Sequence, residues 1–307
     1  MGDVEPGATL PPPPPVDDRC YRHPDQATGV HCTRCGRAIC IDCMHPAPVG
    51  HQCPECVREA KAEFRKGPGR RDAVARTKGV SGTTILLALL AAGYVWELSR
   101  VGMGALVSGP GAFGMFQAGG AIGVTPGGQP IGIGLGEYWR LGSSIFLHFG
   151  IIHLAVNAYS LYILGGIVES EFGRWRLIAL FFATGLFASG VGYVLRPDAV
   201  AAGASGAVFG LLGVVLVHAY QRRGSALGAM RMRMVWQVLL MNVVITFVSI
   251  NSIGWQAHLG GFVGGAIAGY LAERTRGSAV ANAIGIAGVG VAGILIAVAK
   301  NSTLTAV

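Results

Sequence analysis

Gly203-Ala204-Ser205-Gly206 opens an apolar run long enough to enter a membrane. Ala257-His258-Leu259-Gly260-Gly261 opens a second such run about fifty residues later. A hydroxyl or an imidazole in hydrocarbon needs a polar partner, so such residues within spans are functional candidates by default. Working outward, apolar runs occupy residues 81–99, 144–165, 175–195, 204–220, 234–251, 255–272 and 281–299. The sequence therefore predicts an all-α polytopic membrane body of seven spans over 81–299, followed by a short tail, 300–307.

Composition supports this division. The chain is 51% hydrophobic and only 13% charged, about half the charge of an ordinary soluble domain. All seven cysteines lie before residue 57, in a polar N-terminal region. That region reads as a proline-rich disordered tail (1–19), a cysteine-rich domain (20–56) and a basic juxtamembrane linker (57–80). The first residues are acidic and proline-rich, so no signal peptide is predicted. The net charge of +8 comes largely from bases beside the spans. This is the positive-inside pattern, and no nucleic-acid partner is expected. With the N-terminus cytoplasmic, the inner segments 57–80, 166–174, 221–233 and 273–280 hold most bases, and the outer side holds Arg100, Arg140, Arg196 and Lys300. The C-terminus is then extracytoplasmic, in a multi-pass protein of the cell membrane.

This topology makes the fourth and sixth spans both run inward, so Ser205 and His258 lie at the same shallow depth. A hydroxyl is a poor nucleophile without a base, and an imidazole has the right range for one. Neither span carries an acid near that depth, so the residues suggest a dyad. Phe209, one turn after Ser205, is placed to stack on the imidazole. Gly206-x3-Gly210 and Gly261-x3-Gly265-x3-Gly269 permit a close helix approach. The second span adds His148, His153 and Asn157; the last two share a helical face and are potential oxyanion donors. His148 is expected nearer the surface. A catalytic zinc on His148, His153 and His258 is the competing reading, but it leaves Ser205 without a role. Trp139 and Arg140, after Glu137-Tyr138, suit the headgroup level. His218 is expected to be a packed or interfacial histidine.

In the N-terminal domain, Cys20-x2-His23, Cys32-x2-Cys35, Cys40-x2-Cys43 and Cys53-x2-Cys56 are four pairs with zinc-ligand spacing. Eight donors make two closed sites, hence two structural zinc ions and no ion needed for catalysis. Alternate pairs are expected to combine as a cross-brace, with sequential pairing the other option. His31, His45 and His51 remain as spare donors. A disulfide scaffold is disfavoured by the odd cysteine count and a reducing compartment. So few residues bury little core, and metal binding would supply the folding energy.

Taken in order, Trp139-Arg140, His148-x4-His153-x3-Asn157, Gly203-Ala204-Ser205-Gly206 and Ala257-His258-Leu259-Gly260-Gly261 resemble the rhomboid family of intramembrane serine proteases. The resemblance covers about residues 80–299. It implies a six-helix core plus a seventh helix, Ser205 as nucleophile and His258 as base. It also implies an oxyanion hole of His153, Asn157 and the Ser205 N–H, with Trp139 and Arg140 in a loop packed laterally in the membrane. Phe209 stands where the family often has tyrosine. Implied partners are the lipid bilayer and transmembrane protein substrates, cleaved near the extracytoplasmic face. The cysteine-rich domain resembles small double zinc fingers of the B-box and RING kind, which implies a cytoplasmic protein partner. The alternative is a catalytically silent rhomboid-like binder or chaperone of membrane proteins. A transporter lacks support, because inverted repeats and mid-membrane charges are missing.

Overall fold

The computed structural model describes residues 18–47, 49–66, 79–248 and 254–304. The proline run 11–15, the linker residues 67–78 and the last residues of the tail fall outside them. The chain separates into two compact units, Met1–Lys78 and Gly79–Val307.

In the first unit a two-stranded antiparallel hairpin, β1 (His45–Pro46) and β2 (His51–Gln52), precedes helix α1 (Pro54–Lys66). Its core is the buried cysteines around Ile39 rather than an aliphatic cluster. A segment with so few apolar residues gains little folding energy from burial, and its clustered thiols could hold a metal ion.

The second unit is helical. It contains α2 (Gly82–Val101), the short α3 (Ala105–Ser108), α4 (Ala112–Ala118) and α5 (Arg140–Ser143), and then α6 (Ile151–Phe172) and α7 (Arg174–Leu195). The last four helices are α8 (Ser205–Gln221), α9 (Ala226–Val248), α10 (Trp255–Arg274) and α11 (Ala279–Leu304). A helix thus stands at each of the seven expected spans. By length and apolarity, four described helices (α2, α6, α7 and α11) can cross a membrane, and α8 is apolar but shorter. The protein is a multi-pass membrane protein. In α10 the first turn holds Gln256 and His258, and glycines stand at 260, 261, 264, 265 and 269, which lowers its apolarity without any charge in 255–272.

The second span differs from its expected 144–165. Residues Ser144–Phe146 form a short 3₁₀ turn, and α6 begins only at Ile151, after Gly150 at φ 90°. His148 therefore lies in a turn and is fully buried.

Two devices fix the bundle. Glu169 on α6 accepts from Gly82 N at 2.7 Å, Thr83 N at 3.0 Å and Thr83 Oγ1 at 2.8 Å, tying down the open N–H groups that begin α2. Helices α8 and α10 meet backbone to backbone: a side chain at Gly261 would strike Gly206 O, and one at Gly265 would strike Gly210 O. Small residues are the usual means of close helix approach where lipid offers no hydrophobic drive. The apolar core around them includes Leu86, Leu161, Leu177, Phe181 and Leu211.

Candidate active site and metal clusters

Close packing of α8 on α10 brings together the first turns of both helices. His258 Nε2 lies 2.8 Å from Ser205 Oγ. Phe209 stacks on the imidazole, with ring centroids 4.4 Å apart and planes 7° apart. Stacking restrains the ring where, among the described residues, no carboxylate is hydrogen-bonded to it. Intrahelical bonding in α8 begins with Val208 N donating to Ala204 O, so the N–H groups of Ser205 and Gly206 precede the ladder.

Gly203 supplies the turn into α8. Its φ is 130°, which favours glycine, and its N–H donates to Ser144 O at 2.8 Å. A Cβ there would lie 3.1 Å from His153 Nε2 and 3.7 Å from Ser205 Oγ. The space left by the missing side chain is thus lined by both groups, where a reacting atom needs to sit. The Phe149 N–H donates to His153 Nδ1 at 3.3 Å. A backbone amide can only donate, so Nδ1 carries the lone pair and the neutral ring holds its proton on Nε2. That Nε2–H faces the Gly203 space. Asn157 is buried on α6 and uses one N–H on His153 O at 3.0 Å, which leaves a second.

One expectation changes at residue level, that for Arg140, while His148 contacts the loop as expected. His148 packs edge-on against His153, with centroids 5.2 Å apart, and its Nδ1 lies 3.3 Å from Phe146 O. Arg140 does not face headgroups. It is buried, pairs with Glu137 at 2.5 Å and donates to Phe116 O at 2.7 Å and Gly120 O at 3.2 Å. A buried guanidinium needs several acceptors, and the loop carbonyls provide them. Trp139 stays exposed.

At the other end of the α8–α10 pair, buried His218 lies 2.7 Å from Glu273 and 3.3 Å from Glu171. Arg231, Arg276 and Arg222 complete this cluster, which joins α6, α8, α9 and α10.

In the first unit the donors gather as two groups, Cys20, His23, Cys40 and Cys43, and Cys32, Cys35, Cys53 and Cys56. Alternate pairs thus combine, and sequential pairing is not seen. A tetrahedron with Zn–S bonds of about 2.3 Å has edges of about 3.8 Å. Cys35 Sγ and Cys53 Sγ are 3.8 Å apart, and His23 Nδ1 lies 3.8, 3.2 and 3.5 Å from Cys20, Cys40 and Cys43. Both groups fit a tetrahedral ion. His31 is instead paired with Asp18 at 2.5 Å. Sequence reasoning missed Arg37, whose Nε lies 3.3 Å from Cys35 Sγ and whose guanidinium reaches Cys53. Burial raises the Cys32 thiol, but amide donors from Cys53, Cys35 and Arg34 outweigh it and bring it to about 6. Burial, and then the neighbouring thiols, push the Cys56 thiol up to about 12. Ion binding must therefore displace protons.

A hydrogen-bonded serine and histidine thus stand at two helix starts of a helical membrane bundle. The Rhomboid domain pattern matches residues 135–275. The chain is 34% identical over 150 residues to the rhomboid protein YdcA of Bacillus subtilis (strain 168), covering 48% of this chain and 74% of that one. It is 36% identical over 133 residues to the rhomboid protease GluP of the same organism, covering 43% of this chain and 26% of GluP. RHOMBOID-like protein 5 of Arabidopsis thaliana is 35% identical over 144 residues, 44% of either chain. This chain belongs to the rhomboid family, with a Cys/His-rich domain of double zinc-finger type ahead of the rhomboid domain.

Proposed function

We propose that the protein is an intramembrane serine endopeptidase that cleaves transmembrane protein substrates with a Ser205–His258 dyad. The observation that carries this reading is the 2.8 Å contact between the two side chains beside the open Gly203 space. Ser205 Oγ attacks the scissile carbonyl carbon as His258 Nε2 takes its proton. His153 Nε2–H, the second N–H of Asn157 and the Ser205 N–H are placed to stabilise the oxyanion. His258 then protonates the leaving amine as the C–N bond breaks. Water next attacks the acyl ester, giving its proton to His258, and Ser205 is regenerated. Phe209 holds the imidazole ring; the loop stapled by Arg140, with Trp139 and buried His148, supports the site.

The same reading places the functional domains at 20–56 and 81–299, with the N-terminus cytoplasmic and cleavage near the extracytoplasmic face. The bases of the turns at the His218 end support this orientation. The two cysteine clusters hold zinc ions, each bound by four protein ligands with no open position, so the role is structural. Two zinc per chain by elemental analysis is the expected result, and chelation should unfold residues 18–66 without ending activity at Ser205.

The test is labelling of the solubilised protein by a fluorescent fluorophosphonate. Wild type should label at Ser205, and Ser205→Ala and His258→Ala should not. A folded wild type that stays unlabelled in both detergent and lipid would sink the reading.

A further inference from the structure

The acidic side chain Glu97 lies in the apolar helix α2 and is fully buried. Sequence reasoning passed over it. Burying a carboxyl in a span is costly, and leucine would serve the helix better. What Glu97 does is local: its Oε2 accepts from His148 N at 2.6 Å. The turn 147–150 has no regular secondary structure, yet each of its amides is accounted for. Leu147 N donates to Ser144 O at 3.4 Å, His148 N to Glu97, Phe149 N to His153 Nδ1, and Gly150 N to His148 O at 2.8 Å. The amide held by Glu97 therefore directly precedes the amide that sets the His153 tautomer. One turn earlier on α2, Tyr94 donates to Leu106 O at 2.7 Å, so the same helix also holds the loop against which this turn packs. That packing is close: Gly109, at φ 74°, would meet Phe149 Cα at 2.8 Å if it carried a side chain. Among the described residues, Glu97 Oε1 and His148 Nε2 are buried without a hydrogen-bond partner. The corner is thus kept polar at a cost that packing alone does not explain.

We infer that Glu97 is a positioning residue for the active site: by holding the His148–Phe149 turn it locks His153 as the Nε2-protonated tautomer, aimed at the oxyanion space. This rests on the protease reading for its kinetic consequence, but not for the tautomer itself. Without the carboxylate the turn loses its anchor, Phe149 N–H no longer selects Nδ1, and the ring populates both tautomers. A donor lost from an oxyanion hole costs about 10²-fold or more in rate.

The experiment has two arms. In the first, fluorophosphonate labelling is followed for wild type, Glu97→Gln and Glu97→Leu, separating kinact from KI. Glu97→Leu is expected to lower kinact about 10²-fold with KI within about twofold. Glu97→Gln keeps an oxygen for His148 N and should stay within about fivefold of wild type. A folded Glu97→Leu that reacts within about threefold of wild type, or a Glu97→Gln as slow as Glu97→Leu, would overturn the inference. In the second arm, ¹⁵N spectra of histidine-labelled protein report the His153 ring, assigned with His153→Gln. Wild type and Glu97→Gln should show a bare Nδ1 and a protonated Nε2. The opposite tautomer in wild type would overturn the inference, even if Glu97→Leu fails to fold. A wild type that does not label ends the protease reading alone, because the spectra still decide the role of Glu97.

Discussion

His258 and His218 stand at opposite ends of the same helix pair, and each bridges α8 to α10. At one end His258 of α10 meets Ser205 of α8 at 2.8 Å; at the other His218 of α8 meets Glu273 of α10 at 2.7 Å. The geometry is similar and the chemistry is not. His218 is enclosed by two carboxylates, with three arginines completing the cluster. A ring so paired is committed to holding helices together. His258 has a neutral hydroxyl, a stacked phenyl ring and an open space beside it. What makes a membrane-buried histidine available for chemistry is an unsatisfied surrounding.

The sharpest way to break this contrast is to remove each ring in turn. His258→Ala should lower substrate cleavage at least about 10⁴-fold, since a nucleophile–base pair acts as a unit, while the thermal midpoint in detergent stays nearly unchanged. His218→Ala should do the reverse. Removing the buried imidazole takes one partner from Glu273 and Glu171, which keep their arginines, and costs about 1–3 kcal/mol of stability, read as a lower unfolding midpoint, with fluorophosphonate labelling of the folded fraction retained. Equal activity losses in the two variants would erase the distinction.

Glu169, at the same end as His218, extends the structural side of the comparison. Its carboxylate takes three hydrogen bonds from the start of α2. Glu169→Ala should destabilise by about 2–3 kcal/mol, because hydrogen bonds to a charged group are worth about 1.5–3 kcal/mol net, again without a selective loss of kcat. Phe209→Leu should have the smallest effect. An aromatic pair is worth about 0.5–1.5 kcal/mol beyond its burial, so kcat should fall roughly two- to tenfold. Phe209→Tyr should stay close to wild type, and a large loss there would mean that more than stacking holds the imidazole.

Much of this was legible in the chain. Seven apolar runs anticipated seven helices, because span length is a local property. Equal depth in two parallel spans anticipated that Ser205 and His258 would meet, and the ring of Phe209 followed from one helical turn. The second span was misjudged by several residues, because the apolar segment 144–150 reads like helix until Gly150 turns the backbone to a positive φ. Arg140 was misread because a lone arginine beside tryptophan looks like a headgroup anchor, whereas its acceptors are carbonyls about twenty residues earlier.

The sequence by itself determined where the candidate groups stand: a serine and a histidine at two helix starts, and four ligand pairs at a spacing that fits a tetrahedral ion. These follow from periodicity and short-range spacing, which any reader of the chain can measure. Only the tertiary structure decided which cysteine pairs combine, that Arg37 faces two thiols, and that Glu97 holds an amide 51 residues away. The physical reason is that a buried polar group is satisfied by whatever partner the packing delivers, and that partner leaves no mark on the local sequence.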